Sequence, residues 1–169
     1  NITEKLPCLN VHPGDLTVVD DNKQRLLVGL HAIPIELAVI NNLDHMRTTV
    51  IVASAYSSSG AGMDEGSIIG LSPEVDIDFK NTDLESYKSI YAQRQGKAND
   101  ALRDMANENQ EALKVDGDWI VFPPSVNDFA SGRFAIDEKG QLHLDTNGNY
   151  LPIEYIEYSQ NQKEIVFAE

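Results

Sequence analysis

The chain reads Ala98-Asn-Asp-Ala-Leu-Arg-Asp-Met-Ala-Asn-Glu-Asn-Gln-Glu-Ala-Leu-Lys114 in its middle, and there the spacing of apolar side chains becomes that of a helix. Apolar residues recur at intervals of three and four, which places them on one helical face. They are Ala98, Ala101, Leu102, Met105, Ala106, Ala112 and Leu113. The opposite face is polar and largely charged. This pattern predicts a helix over about 97–114.

A second helical segment precedes this one. Thr82 and Glu85 have the spacing of a capping box, in which the Thr82 hydroxyl accepts from the Glu85 N–H while the Glu85 side chain reaches back. Gly96 costs about 1 kcal/mol in a helix interior. We therefore predict either one long kinked helix or two consecutive helices, over about 83–94 and 97–114.

Apolar runs separated by polar turns predict strands within residues 9–79. The runs are 16–19, 25–30, 35–40, 48–53, 67–71 and 75–79. The first four are close to continuously apolar, so we expect them near the centre of a sheet with both faces covered. The last alternates, with Val75, Ile77 and Phe79 toward one side and aspartates toward the other.

The last third, 118–168, has the pattern of an antiparallel meander. Its predicted strands are 119–122, 133–137, 141–145, 151–158 and 164–167, and Pro123 and Pro124 end the first of them. We find no linker, so we predict one domain over 1–169. The fold class is α+β, with a large and mostly antiparallel sheet system of about nine or ten strands and one long or two consecutive central helices.

The charge of the chain restricts its partners. The 169 residues include 27 acidic and 13 basic side chains, a formal net charge of -14. Such a field repels phosphate backbones and anionic lipids, so we predict neither nucleic-acid binding nor membrane-surface binding. No apolar run reaches the roughly 18–20 residues of a membrane span, so we also expect no membrane insertion.

The compartment stays open. Cys8 is the single cysteine, which excludes an intrachain disulfide and fits a cytoplasmic protein without excluding a processed or exported one. Asn1 is not an initiator methionine. We expect that signal cleavage, proteolytic maturation or the choice of the expressed segment removed something upstream.

The glycine- and serine-rich segment 57–66 is the most site-like part of the sequence. It follows a strand, as a phosphate-binding loop does, but Glu65 stands where the dinucleotide pattern needs its third glycine. The residues after it are predicted as a strand, so the helix N-terminus that binds phosphate is missing. We interpret the segment as a mobile surface loop or a partner contact. The candidate binding residues are Ser58, Ser59, Gly60, Gly62, Asp64 and Glu65.

A local cluster of basic residues interrupts the acidic chain. Five of the 13 basic residues fall between positions 80 and 103. This cluster could pair with an acidic patch on a neighbouring copy; the alternative is a solvated helix face. Its candidate binding residues are Lys88, Arg94, Lys97 and Arg103.

Two segments carry residues with metal-binding chemistry. Cys8, His12 and Asp15 could meet one zinc ion on a loop, but a structural zinc site needs four ligands and no second pair is present. The alternative is a buried cysteine followed by a turn. Asp145, Asn147 and Asn149 resemble half of a calcium loop, which fails at the positions that need glycine and a bidentate glutamate. We therefore predict no metal and no cofactor, with weak binding at either segment left open.

Catalytic patterns are missing from the sequence. No serine stands on a glycine-flanked elbow, and His31, His45 and His143 have no paired nucleophile. Aromatic residues concentrate in the last third, where we expect most to be core; the alternative is an aromatic partner surface. They are Trp119, Phe122, Phe129, Phe134, Tyr150, Tyr155 and Tyr158.

These observations favour a non-enzymatic protein. The leading hypothesis is a protein-interaction, structural or assembly component that acts through its surface loops and helix face, by binding a protein partner or by self-association. The alternative is a small hydrolase-type enzyme with no recognisable motif. A third hypothesis is an acidic mimic of nucleic acid that inhibits a DNA-binding protein, although the carboxylates are scattered among basic residues.

Overall fold

The structure, a computed structural model, describes residues 6–53, 64–95 and 98–168. It has the predicted α+β architecture. Its strands are β1 (Leu9–His12), β2 (His45–Met46), β3 (Thr49–Val52), β4 (Ile68–Leu71), β5 (Val75–Asp76), β6 (Phe134–Ile136), β7 (Leu142–Thr146), β8 (Asn149–Tyr158) and β9 (Lys163–Phe167). Its helices are α1 (Ile33–Ile40), α2 (Leu84–Gln93), α3 (Ala101–Leu113) and α4 (Trp119–Ala130), and a π-helical turn, Lys114–Asp118, joins α3 to α4.

The larger sheet has seven strands in the described part of the chain. Their order is β1-β3-β4-β8-β7-β6, with β9 also paired to β8. Neighbouring strands are antiparallel except β4 and β8, which run parallel with Leu71 opposite Glu157. The short strands β2 and β5 form a separate antiparallel pair. The prediction of a mostly antiparallel sheet system is therefore confirmed.

Two of the predicted strands, 16–19 and 25–30, are wrong. The segment is irregular, and a single bridge joins Val19 to Arg25. Its backbone turns too sharply for a strand: Gly29 has a φ of 124°, which lies outside the extended region. The apolar side chains of this segment pack on α1 and the core around it, and this packing overrides their preference for a strand.

The predicted strand 35–40 is also wrong, because these residues form α1. Pro34 lies in the first turn of α1, where the missing N–H would have had no helical partner. A short apolar run has no clear period, so a buried helix and a buried strand look alike in sequence. Ile35, Ala38 and Val39 are buried in the core that α1 shares with α2 and α3.

The predicted strand 119–122 belongs to α4. The helix that begins at Ala101 passes through the π turn and continues to Ala130, so the antiparallel meander begins at β6 and not at 118. Pro123 and Pro124 lie inside α4. Neither has the N–H that a regular helix would donate to the carbonyls of Trp119 and Ile120.

The helical boundaries confirm the prediction of two consecutive helices. The cap of α2 is one residue later than predicted: Asp83, rather than Thr82, accepts the N–H of Ser86 at 2.9 Å. Asp100 caps α3 in the same way, accepting the N–H of Arg103 at 3.1 Å. Gly96, where a kink or break was expected, lies outside the described residues.

Two main apolar cores lie along the rod formed by α3, the π turn and α4, one at each half. One joins α1, α2 and α3, and its largest buried members are Leu27, Ile35, Tyr87, Leu102, Met105 and Leu113. The other lies between α4 and the sheet, and its members include Val50, Ile69, Val121, Leu144, Ile153, Ile156 and Tyr158. The first half of the rod therefore packs on helices and the second half on the sheet.

Candidate functional site

The loop predicted as a binding site is described only at its end. Ser58, Ser59, Gly60 and Gly62 lie outside the described residues. Asp64 is held in place, because one carboxylate oxygen accepts the N–H of Gly29 at 3.2 Å and its carbonyl accepts from the Arg25 guanidinium. Arg25 also donates to the carbonyl of Gly66 at 3.0 Å. Glu65 is exposed between these anchored residues.

The basic cluster is brought together in part, and it faces inward. Arg94 and Arg103 both donate to the carboxylate of Glu36, with N···O distances of 2.6–3.1 Å. Lys88 lies apart, donating to Asn42 and to Glu85 at 2.6 and 2.9 Å. Lys97 lies outside the described residues. The two arginines thus join α1 to α2 and α3, and their charge is used within the protein.

Glu36 is the centre of this ion-pair cluster. Its side chain is only 2% exposed. Burial alone would raise its pKa, but the hydrogen bonds from Arg103 and Arg94 outweigh burial and hold the pKa below its ordinary value. Arg94 also donates two hydrogen bonds to Asp100, both 2.9 Å long. These contacts describe a structural clamp rather than a free cationic surface.

The candidate metal ligands near the N-terminus have other partners. His12 Nε2 lies 2.6 Å from the Leu27 carbonyl, and its Nδ1 lies 3.4 Å from a carboxylate oxygen of Asp64. Burial lowers the pKa of His12, against the opposing effects of the Leu27 carbonyl and Asp64. Cys8 contacts the Leu6 carbonyl through Sγ at 3.4 Å. Neither ring nitrogen of His12 faces open solvent or a nucleophile.

The candidate calcium segment is a hairpin turn between β7 and β8. A carboxylate oxygen of Asp145 accepts the N–H of Gly148 at 2.6 Å, and Asn147 has a φ of 60°. Across residues 6–53, 64–95 and 98–168, no group of three or more His, Cys, Asp or Glu side chains is placed to hold a metal ion.

The buried face of α4 is made of small and polar residues. Val121, Ser125 and Asp128 are buried at intervals of four and three residues, and Gly117 precedes them in the π turn. This face lies on β3, β4 and β8. A Cβ on Gly70 of β4 would overlap Ser125 Oγ and lie 3.0 Å from a Val121 methyl carbon. The close approach of helix and sheet therefore requires small side chains on both.

The opposite face of the same helix carries large apolar side chains in solvent. We call Val115, Trp119, Phe122 and Val126 the α4 stripe. Their exposed fractions are 48%, 70%, 37% and 38%. Their spacing of four, three and four residues is that of one helical face. A contiguous exposed apolar row of this kind is typical of a surface that another molecule covers.

The π turn fixes where the stripe begins. Gly117 is buried there, and a Cβ on it would lie 2.6 Å from Thr48 Oγ1 and 2.7 Å from a Leu113 methyl carbon. The Thr48 hydroxyl donates to the Asp118 carboxylate at 2.6 Å. These contacts hold the turn against the sheet. π-Helical turns are common at functional sites, because the extra residue re-aims the side chains that follow.

A buried polar cluster lies under the C-terminal half of α4. Asp128 accepts hydrogen bonds from Tyr158 at 2.6 Å, from Arg133 at 2.9 Å and from Lys163. Burial would raise the pKa of Asp128, but these three donors hold it below its ordinary value. Burial also raises the pKa of the Tyr158 hydroxyl, which therefore keeps its proton at neutral pH.

The same cluster includes a buried hydroxyl without a hydrogen-bond partner among the described residues, that of Ser125. The carboxylate of this cluster, Asp128, accepts from Tyr158 of β8, Lys163 of β9 and Arg133. The cluster therefore ties α4 to β8 and β9.

An open cleft of about 690 Å³ lies beside the α4 stripe. Trp119 and Pro124 of α4 line one side of it, and the turn between β8 and β9 lines the other. That turn is rich in hydroxyl and amide side chains: Ser159, Gln160, Asn161 and Gln162. A cleft with an apolar rim and convergent hydrogen-bonding groups can hold an extended side chain or a short peptide segment.

Comparisons of the chain with protein-family models, with curated proteins and with solved structures find no match. Within the part of the chain that the structure describes, no helix combines the length and the apolar character needed to cross a membrane.

The aromatic residues of the last third divide between core and surface. Tyr158 is buried, and Phe129 and Phe134 pack against the core between α4 and the sheet. Trp119 and Phe122 are exposed, as in the alternative interpretation of an aromatic partner surface. Sequence reasoning missed Val115, Val126 and the amide-rich turn. The spacing of the α4 stripe, four, three and four residues, is helical, but the aromatic and β-branched run before two prolines favours a strand, so this signal is ambiguous.

Proposed function

We propose that this chain is a non-enzymatic protein-binding component whose partner covers the α4 stripe. The observation that supports this most directly is the reversed arrangement of α4. Two of its three buried side chains, Ser125 and Asp128, are polar, whereas Trp119, Phe122 and Val126 are exposed. Burial of an apolar side chain releases about 25 cal/mol per Å², so a helix with this arrangement forgoes a large gain that a partner can supply.

The residue types of the stripe support a protein partner. Tryptophan is among the side chains that contribute most to binding in protein interfaces, and Trp119 at 70% exposure is the most exposed of the large apolar side chains described. Aromatic anchors surrounded by polar residues form the usual core and rim of such an interface. Around Trp119 the rim would be the amide-rich turn and the acidic residues of the π turn.

The sequence predicted two contact regions, the basic cluster and the 57–66 loop, and only the loop remains a candidate contact. Arg94 and Arg103 support the fold through Glu36, which makes the basic cluster a poor docking surface. The 57–66 loop keeps its role as a hypothesis, with Asp64 as its anchored end. The α4 stripe replaces the basic helix face as the main proposed contact.

The experiment that tests the proposal is comparative capture from the native source. The tagged chain, a Trp119→Ser, Phe122→Ser variant and a control variant are used as baits, and bound proteins are identified by mass spectrometry. The control is Leu30→Ser with Ile136→Ser, because these two side chains are similarly exposed at 57% and 48% but lie away from α4. Circular dichroism verifies that all three baits are folded.

The expected result is a specific protein that the chain and the control retain and that the stripe variant loses. Truncating interface anchors of this type typically costs at least about 2 kcal/mol of binding energy, which is a loss of about thirtyfold in affinity. Capture of the same proteins by the stripe variant and by the chain would contradict the proposal.

A further inference from the structure

We infer that the α4 stripe receives an amphipathic helix whose apolar face is flanked by lysine or arginine. This inference rests on the proposed function and specifies its partner. Three features of the surface carry it: the spacing of the stripe, the charges beside it and the backbone carbonyls at its centre.

The spacing of the stripe matches a helical partner. Val115, Trp119, Phe122 and Val126 follow the four-three-four spacing with which helices pack along a shared apolar seam. The stripe spans eleven steps of about 1.5 Å, a length of about 16 Å. A partner helix of about three turns covers that length, with anchors spaced at i, i+3 or i+4, and i+7.

The charges beside the stripe are acidic. Glu111 and Asp116 are exposed within one turn of Val115 or Trp119, and Asp118 lies beside them with one carboxylate oxygen accepting from Thr48. Nζ of Lys114, in the rod, lies 2.5 Å from a Glu111 carboxylate oxygen, and Lys163, which lines the cleft beside Trp119, donates to Asp128. The N-terminal half of the stripe therefore has an unbalanced negative border, which favours cationic side chains on the partner.

The backbone at the centre of the stripe points to the same chemistry. Pro123 and Pro124 provide no N–H for the carbonyls of Trp119 and Ile120. Trp119 and Ile120 line the cleft beside α4. These carbonyls are acceptors without the donor of a regular helix. Lysine and arginine carry several donors and no acceptor, so they match carbonyls and carboxylates together.

A second copy of the chain fits this surface poorly. An isologous contact in which the two copies of α4 run parallel would place the acidic border of one copy against that of the other. Each copy has a formal net charge of -14, so association would also work against the repulsion of the whole chains. A basic partner is instead attracted both by the acidic border and by the net negative charge of the chain.

The test uses three synthetic helices that share one leucine seam and contain no tryptophan. The polar positions are lysine in the first, glutamine in the second and glutamate in the third. The chain contains a single tryptophan, Trp119, so its fluorescence reports occupancy of the stripe directly. Phe122→Ser serves as the variant that weakens the stripe and keeps the reporter, and Ile136→Ser is its control.

The lysine helix is expected to shift the Trp119 emission to shorter wavelength and to bind about tenfold more tightly than the glutamine helix, with an affinity that falls as salt is added. Phe122→Ser weakens this binding, and Ile136→Ser leaves it unchanged.

Two double variants then separate attraction of the lysine helix to the border of the stripe from its attraction to the net charge of the chain. Each double variant removes two negative charges: Glu111→Gln with Asp116→Asn beside the stripe, and Glu138→Gln with Glu154→Gln, two exposed residues that do not line its cleft.

The pair beside the stripe is expected to weaken the lysine helix about fivefold, and the distant pair less than about twofold. Equal effects of the two pairs would overturn the inference, because they would show attraction to net charge alone. Equal binding of all three helices would overturn it too while leaving the proposed function intact. If no helix shifts the emission, the helical partner is wrong, and the capture experiment still decides the proposed function. Sedimentation that shows self-association lost in Phe122→Ser would instead assign the stripe to a second copy.

Discussion

The two halves of the rod differ in where they place their large apolar side chains. In α3, Leu102, Met105 and Leu113 are buried and the carboxylates face water. In α4, Trp119 and Phe122 face water and Ser125 and Asp128 are buried. One continuous helical element therefore supports the fold with its first half and offers an apolar surface with its second. The comparison predicts that equal truncations in the two halves have unequal effects on stability.

The largest effect is expected in α3. Leu102→Ala removes a side chain that is 0% exposed in the core shared by α1, α2 and α3. The lost burial and the remaining cavity lower the free energy of unfolding by about 2–5 kcal/mol. Urea denaturation followed by circular dichroism measures it. A loss below about 1 kcal/mol would show that α3 is not the supporting half of the rod.

The next effect concerns the clamp that holds α3 to α1. Glu36→Gln leaves Arg94 and Arg103 without their buried carboxylate, and we expect it to lower the free energy of unfolding by about 2 kcal/mol at pH 7. The folded-state pKa of Glu36 lies below its ordinary value of 4.5. Its contribution is therefore full above pH 4.5 and is lost as the pH falls through the folded-state pKa.

The variant accordingly differs most from the chain at neutral pH and converges on it in acid. Urea titrations at several pH values between neutral and acid conditions measure the difference. Asp137→Asn, an exposed carboxylate in a turn, serves as a control for general charge effects. A difference that stays constant into acid would contradict the role of the Glu36 charge.

A smaller effect is expected where α4 meets the sheet. Gly70→Ala places a methyl group against Ser125 Oγ and Val121, and we expect a loss of about 1–2 kcal/mol of stability from overpacking. Ser125→Ala removes the atom that clashes most closely, so in the double variant part of the loss should be recovered. Thermal unfolding of the four proteins of this double-mutant cycle measures the coupling. Strict additivity would show that the helix does not press on Gly70.

The smallest effect is expected on the stripe itself. Trp119→Ser removes the largest side chain of the rod, yet it should change the free energy of unfolding by no more than about 0.5 kcal/mol, because that side chain is 70% exposed. Urea denaturation followed by circular dichroism gives the comparison with Leu102→Ala. A loss comparable to that of Leu102→Ala would mean that Trp119 packs within the chain and would remove the contrast between the two halves.

The sequence was a good guide to α3 and to the strands after β6, and a poor one to α4. Polar residues alternate cleanly with the apolar side chains of α3, so its period is readable. The run Trp119-Ile-Val-Phe122 is aromatic and β-branched and is followed by two prolines, all of which indicate a strand and its end. Its helical state comes from continuation of α3 and from packing on the sheet, which no local pattern records.

The candidate site was harder to predict for a similar reason. The identity of Arg94 and Arg103 suggests a surface contact, but their role depends on Glu36, which is 58 positions from Arg94 in the chain. Exposure of Trp119 likewise depends on which side of α4 meets Gly70. Sequence spacing finds residues that share a face; it does not say which face is covered.

The parallel pairing of β4 with β8 has a consequence for the order of folding. It joins Leu71 to Glu157, and the Glu157 side chain also accepts from Arg47, 110 positions away. Closing such long loops costs chain entropy before any contact repays it, whereas the helices form from neighbours. We expect the helical rod to assemble early and the sheet to close last, because β4 can pair with its near neighbour β3 early but must wait for residues 149–158 before β8 joins it.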